Sequence, residues 1–592
     1  VLLFNIGFQF FYNFLLDAND SIINVLSPNT IERTDVYAVK SVIANISPSI
    51  ASIFLLLLAK AITGDNTLYD MTVYRVLYPP MLIVGFLVSI IIYVNTEERI
   101  VQPKNHTVNM SFLDAVRAVA RNKYFWIISL AGWIGFLEGS FGTILGWMYN
   151  YQEACSAGQY AVITAIAGNA SLWPNLFAPF LIRRFGKKKV LIISNLLNII
   201  FIALMLPVVK MTGGGVIWIL LVFIFINQLL TSLGHFMNPS LNADIRDYQQ
   251  YISGERIDGV FSAVALIGSV ITLGTASVLP AIYEKAGLNE EMAVKLGYSA
   301  DNVYDVLYNT ELFVAISSVL IIASVIGATL NVIPLFFYDL TETKQKAMVN
   351  VLRIRAYFDD KITGIATSEQ EAEVSEIIKT ANEYVNKTLA KIEKGMPKQE
   401  KKRIREDKEK IEIAKIVLAE LEFFKTSQGE FEFEYSKKIL ASQGDMDLTE
   451  EIAKINSLPD NTTEEKEFKR KMRSLIKDFR IEEKTKNSKE YKNAQSFDSA
   501  IFTELFNTSD KITFSIKELQ NKIKLSKEAK EDTKELKEKL SKLYKERKVN
   551  DEKIKQARKK SILYNRANKP IITAQKTLAR YENYNSYINN LV

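Results

Sequence analysis

The sequence predicts an all-α membrane protein that continues into a helical, water-exposed tail. Three observations carry this: an uneven division of charge, recurring apolar segments of membrane-spanning length, and a one-sided distribution of Lys and Arg between those segments. Cutting the 592 residues after Leu340 leaves 19 Lys/Arg and 22 Asp/Glu before the cut, against 54 and 44 after it. The charged fraction rises from about 12% to about 39%, so one chain meets two solvents.

Apolar segments of roughly 20 residues, the length that crosses hydrocarbon as a helix, recur at 1–27, 40–62, 75–94, 124–149, 158–182, 190–210, 214–238, 259–283 and 309–338. They give nine candidate spans. Placing the connections at 28–40, 95–123, 183–189 and 239–258 in the cytoplasm gives that side fourteen Lys/Arg. The other side keeps only Lys60, Arg75, Lys210, Lys285 and Lys295. This bias sets the tail in the cytoplasm and Val1 outside. Residues 111–119 of the longest connection have helical periodicity behind a Ser N-cap, as expected of an interfacial helix joining two bundles. Three spans precede it and six follow. A two-bundle transporter with six helices per half would therefore be three helices short, and the chain, starting without Met inside an apolar run, is expected to be truncated at its N-terminus.

Composition excludes several chemistries. One cysteine, Cys155, allows no intramolecular disulfide and no Cys-based zinc site, and the two histidines, His106 and His235, lack metal or nucleophile spacing. There is no P-loop and no dinucleotide fingerprint. The chain is not expected to be an enzyme or to need a cofactor or metal. Nucleic acid is not an expected partner, because the charge of +7 comes from a tail at +10 and a membrane part at −3.

Polar residues inside the spans mark candidate sites. Asn5, Gln9, Asn13, Asp17, Asp20 and Asn24 recur every three or four residues and form one stripe along the first span. Intramembrane carboxylates are costly, at least about 2.5–3.5 kcal/mol at the bilayer centre, so the stripe faces a substrate or ion pathway, or neighbouring helices that satisfy it. Gln228, Thr231, His235, Asn238 and Asn242 share a face further on, where His235 either relays protons or is held by hydrogen bonds. Glu138, in Gly135–Ser140, binds substrate or cation, or pairs structurally. Trp147, Tyr149 and Tyr151 either stack on a sugar face or anchor the interface. Between two spans, Asp244, Arg246, Asp247, Glu255, Arg256 and Asp258 crowd a short connection. They form either a cytoplasmic gate, pinned in one state and released in another, or a solvated loop.

The strings Ala243–Tyr248 and Gly254–Gly259 resemble the loop between helices ten and eleven of the glycoside-pentoside-hexuronide:cation symporters, the melibiose-permease-like branch of the major facilitator superfamily. Asp20–Pro28 is similar to that family's helix four, and the resemblance extends over residues 1–340. It implies a major-facilitator-type two-bundle transporter with nine of twelve helices present: helices four to six at 1–94, a cytoplasmic linker at 95–123, helices seven to twelve at 124–340, and a cytoplasmic extension at 341–592. It implies that Asp20 contributes to the sugar and cation region and that Asp244, Asp247, Arg256 and Asp258 form the gating loop. Asn24 stands where the best-known member has Trp, Ser41 beside Lys40 where it has a sugar-contacting Arg, and Gly268–Val270 carries no counterpart of its helix-eleven Lys.

The extension at 341–592 alternates charged, helix-prone runs with breaks at Pro397, Gly444, Pro459 and Pro570. Short amphipathic helices or a small bundle are expected, without a long coiled coil, because the heptads look broken. Clusters 401–405 and 469–473 either meet anionic lipid headgroups or stay solvated; no tail partner is identifiable. The resulting expectation is a multi-pass transporter of the cytoplasmic membrane, in contact with membrane lipids. It would move a sugar or glycoside with sodium or a proton by alternating access. A lipid-like or lysolipid cargo, or a non-transporting scaffold that presents the tail, are the alternatives.

Overall fold

The structure, a computed structural model, describes residues 26–63, 71–95, 112–213, 215–362, 364–388, 396–442, 447–486, 498–528 and 533–591, with the single residues 22, 101 and 491. Every regular element among them is helical. The chain divides into two compact units, one of residues 1–100 with 112–346 and the other of residues 101–111 with 347–592.

The first unit contains α1 (Thr30–Thr63), α2 (Met71–Asn95), α3 (Phe112–Ala120), α4 (Lys123–Ile134), α5 (Ile144–Asn150), α6 (Ala157–Gly168), α7 (Leu172–Phe185) and α8 (Lys187–Thr212). It continues with α9 (Ile217–Ser253), α10 (Asp258–Thr275), α11 (Val278–Lys285), α12 (Glu290–Lys295) and α13 (Thr310–Leu335). Among the described residues α8, α9 and α13 are long and apolar enough to cross a membrane. They pack side by side, and their core holds Ile202, Met205, Leu220, Ile224, Ile316 and Leu320.

The other expected spans differ instructively. The first, with Asn13, Asp17, Asp20 and Asn24, lies outside the described residues. The segment at 124–149 is discontinuous: α4 stops at Ile134, residues 135–139 turn, and a 3₁₀ turn at Ser140–Thr143 leads into α5. Glycines at 132, 135, 139 and 142 lower its helix propensity by about 1 kcal/mol each. The neighbouring α13 presses Gly327 against the break, where an added Cβ would lie 2.3 Å from Glu138 N and 2.6 Å from the Leu137 carbonyl carbon. Backbone cannot yield as a side chain can, so Gly327→Ala is expected to cost about 1–3 kcal/mol. Thermal unfolding in detergent, followed by tryptophan emission, would show the loss; an unchanged midpoint would refute the close approach.

Similarly, the segment at 158–182 is divided by a 3₁₀ turn at Asn169–Ser171, and that at 259–283 into α10 and α11. Conversely, two expected connections are helical. α1 already begins at Thr30, and α9 runs past its apolar part to Ser253. It ends at Gly254, whose φ of +74 is a left-handed position that glycine adopts without Cβ strain. The charged connection thus shrinks to a turn of four residues, 254–257, and its other members stand in helical register.

After Leu335 the chain enters α14 (Glu342–Ile362), whose first residues belong to the first unit and the rest to the second. The second unit adds α15 (Ser368–Val385), α16 (Lys398–Leu421), α17 (Ser427–Ala441), α18 (Leu448–Asn456), α19 (Thr463–Lys486), α20 (Ser499–Glu528), α21 (Lys534–Ala567) and α22 (Lys569–Leu591). Tyr435, Ile439, Phe468, Met472, Phe479 and Ala574 close one core between α17, α19 and α22. α20 and α21 form an antiparallel hairpin, in which Gln520 Nε2 donates to Tyr544 Oη at 2.9 Å and Asn550 Nδ2 donates to the Leu505 carbonyl at 2.9 Å. Over residues 534–556 its seam follows a short heptad: Leu536, Leu540, Leu543, Arg547, Asn550 and Ile554 are the covered positions of α21 there, alternately four and three residues apart. Arg547 and Asn550 occupy seam positions and so disguise the repeat in the sequence.

Candidate functional site

The densest arrangement of buried charge in the first unit gathers at the ends of five helices. Asp244 and Asp247 lie one turn apart on α9, both 3% exposed, so their carboxylates share one face of the helix. Asp244 meets Lys187 at the start of α8, and accepts a hydrogen bond from Thr30 Oγ1 of α1 at 3.2 Å. Asp247 accepts three: from Arg33 of α1 at 2.8 Å, from Arg256 at 3.2 Å and from Gln345 of α14 at 3.0 Å. Arg256 in turn donates through Nε to Asp258 of α10 at 2.9 Å. Three carboxylates face three cations, each carboxylate is bonded, and α1, α8, α9, α10 and α14 are tied at one place.

Local chemistry positions each member. Arg33, 2% exposed, also donates through Nε to the Ser27 carbonyl at 2.6 Å, which fixes the chain entering α1. Burial works against the Arg33 guanidinium, but the attraction of Asp247 and Asp244 outweighs it and holds the group above its ordinary range. Glu342 of α14 accepts from the Lys187 backbone N–H at 2.5 Å, so a carboxylate sits at the positive end of α8. Asn122, fully buried, caps α4 by accepting from the N–H groups of Tyr124 and Phe125 at 3.1 and 3.2 Å. Its amide donates to the Ile245 carbonyl at 3.1 Å and to Gln249 at 3.2 Å, fastening α4 to α9 beside the charges.

Four of the six gate residues expected from sequence, Asp244, Asp247, Arg256 and Asp258, stand in this network. Arg246 instead lies over the Phe261 ring at 5.9 Å. Glu255 forms the turn after α9 through its backbone, exchanging hydrogen bonds with the Ser253 hydroxyl. Sequence reasoning missed Thr30, Gln345 and Asn122 and counted Arg33 and Lys187 only as orienting charges. For Lys187 the available signal was the run 183–189, five Lys/Arg without a carboxylate.

Residues expected on the pathway divide. Gln228 and His235 are exposed on α9, whereas their neighbour Asn227 points inward and donates to Asn198 Oδ1 of α8 at 2.5 Å. Asn198 Nδ2 donates to Glu138 Oε1 at 2.7 Å. Glu138 therefore sits at the break after α4 at the end of a chain of amides that the sequence pattern did not reveal. Tyr149 stacks on Tyr160, with ring centroids 4.2 Å apart, and Trp147 meets Tyr283 edge-on at 5.6 Å. These aromatics are engaged within the helical unit itself.

One family model, described as MFS/sugar transport protein, matches residues 1–342. No curated protein and no solved structure matches the chain.

Proposed function

Because the chain belongs to the MFS/sugar transport protein family, matched over 342 of its 592 residues, it is a membrane-embedded transporter of that type, and we propose that it moves a sugar or glycoside together with a cation by alternating access. In this reading residues 1–94 and 124–340 are the two helical bundles and 95–123 their linker, the charged cluster is the gate on the cytoplasmic side, and Asp17, Asp20, Asn13, Asn24, Gln228, His235 and Glu138 border the pathway. The tail lies in the cytoplasm.

The observation that carries this reading is the cluster around Asp247. A buried network that joins five helix ends through ion pairs has two stable arrangements, formed or broken, because a half-broken one leaves a charge unpaired in a dry place. Bistability at one end of a bundle is what alternating access requires. Ligand binding then needs only a differential affinity for the two states to shift the population.

Uptake of a panel of labelled mono- and disaccharides into membrane vesicles tests the proposal, with and without an inward sodium or proton gradient. The expected result is accumulation of at least one sugar, driven by one of the gradients and abolished by Asp20→Asn. No accumulation of any sugar by folded, inserted protein would move the weight to a lipid-like cargo.

A further inference from the structure

The break after α4 brings three polar side chains to one depth of the bilayer. Asn198 lies eleven residues into α8 and Asn227 ten into α9, about 15 Å along each helix. That is the middle of a hydrocarbon layer about 30 Å thick. Both amides are buried, 1% and 3% exposed, and their hydrogen bonds run in one direction, from Asn227 through Asn198 to Glu138. Among the described residues, the Glu138 carboxylate receives the Asn198 amide and meets no Lys, Arg or His. The elements packed against it carry, among the described residues, no charged or titratable side chain at this level: residues 191–205 of α8, 220–234 of α9, 268–275 of α10 and 320–335 of α13 contain none. The nearest in sequence on these helices is the exposed His235.

An uncompensated carboxylate in such a place is stabilised by taking up a cation. A metal ion would need several oxygens, and discontinuous helices elsewhere supply them as free carbonyls. Here three of the five carbonyls at 135–139, those of Gly135, Leu137 and Gly139, already accept hydrogen bonds from the turns of the break itself. The Asn198 amide presents N–H, not oxygen, to the acid. One oxygen pair with one neutral donor suits a proton, which needs a single oxygen.

We propose that Glu138, oriented by Asn198 and Asn227 at the discontinuity after α4, is a proton-carrying site of this transporter. The carboxylate takes a proton from one side of the membrane to become a neutral carboxylic acid and returns it as a proton to the other side. The amide chain holds the carboxylate in place in both forms. The use of the proton to drive cargo rests on the transporter reading above; the protonation itself does not.

The test is infrared difference spectroscopy of the full chain in proteoliposomes, titrated over pH without any sugar, so that it stands whether or not a sugar is ever found. The parent is expected to lose one carboxylic-acid carbonyl band on alkalinisation that Glu138→Gln lacks; the difference between the two isolates this group from the other carboxylates. Asn198→Ala, which removes a donor to the charged form, is expected to keep the band and move its midpoint to higher pH by about one unit, a tenfold change in proton affinity. It carries the test if Glu138→Gln does not fold. A band unchanged in Glu138→Gln, or a midpoint unmoved in Asn198→Ala, would overturn the proposal. Replacing choline chloride by sodium chloride should leave the midpoint in place; a sodium-dependent shift would assign the site to sodium instead.

Discussion

Replacing Asp247 by Ala opens the charged cluster. The substitution removes the acceptor shared by Arg33, Arg256 and Gln345 and takes one carboxylate partner from each of two buried guanidinium groups, 2% and 9% exposed, leaving Arg256 with Asp258 and Arg33 with Asp244 at 3.7 Å. Breaking a buried pair from one side costs roughly 3–5 kcal/mol. That is a shift of more than a hundredfold in the balance between the formed and broken arrangements. A reporter stands nearby: Ser240 is 4% exposed, and its hydroxyl lies 3.2 Å from that of Thr34. In a Cys155→Ser background, Ser240→Cys is expected to react slowly with a maleimide in the parent and at least about tenfold faster with Asp247→Ala. Sugar uptake should fall in parallel. Asp247→Asn keeps an acceptor for one donor and should fall between. Equal labelling rates in all three would mean that the network holds nothing shut.

Acid should unfold the second unit along a limb set by two carboxylates. Burial alone would raise Asp359, but Arg580, which grips it through two nitrogens at 2.8–3.0 Å, and Lys576 at 3.4 Å hold it below its ordinary range. Burial likewise opposes Glu420, and Arg355, bidentate at 2.7 Å, outweighs it. A carboxylate with a depressed folded-state value contributes stability that is complete above its unfolded value, about 3.9 for Asp and 4.3 for Glu, and is lost as pH falls through the folded value. The tail should thus melt at a constant temperature near neutrality and progressively lower below about pH 5. Asp359→Asn should cost roughly 2–4 kcal/mol, the low side for a broken buried pair because Arg580 keeps some contact with water, and should flatten the acid limb. All five tryptophans lie between residues 126 and 218, so the tail's transition is one seen by far-UV circular dichroism and silent in tryptophan emission. An acid limb as steep in the variant as in the parent would contradict the assignment.

How much of this was legible beforehand depends on whether the causal residues are close in sequence. The apolar helices α8, α9 and α13 are visible because hydropathy over 20 residues is local. The broken ones are less so: the glycines at 132, 135, 139 and 142 weaken the run at 124–149 locally, but the close approach of Gly327, almost 190 residues away, is visible only in the fold. Asp244, Asp247, Arg256 and Asp258 were found because they crowd one stretch of sequence; their partners Arg33, Lys187 and Gln345 come from three other helices, and nothing short of the fold pairs them. The stripe through Gln228 and His235 lies exposed along α9. Asn227, one residue away, is the amide that bonds, because the face turned toward α8 was not specified by polarity alone.

The cluster around Asp247 has a consequence for electrical driving. Its paired groups, Asp244, Asp247 and Asp258 with Arg33, Lys187 and Arg256, sum to zero charge. The membrane potential does work of about 2.3 kcal/mol per elementary charge per 100 mV on whatever net charge moves through it. While the pairs are formed the set moves as a neutral body and feels none of this work; parting them separates Arg33 on α1 from Asp247 on α9, and voltage then acts only to the extent that the two charges move apart along the membrane normal. A net charge carried across the membrane must come from elsewhere, and a proton on Glu138 would be such a charge.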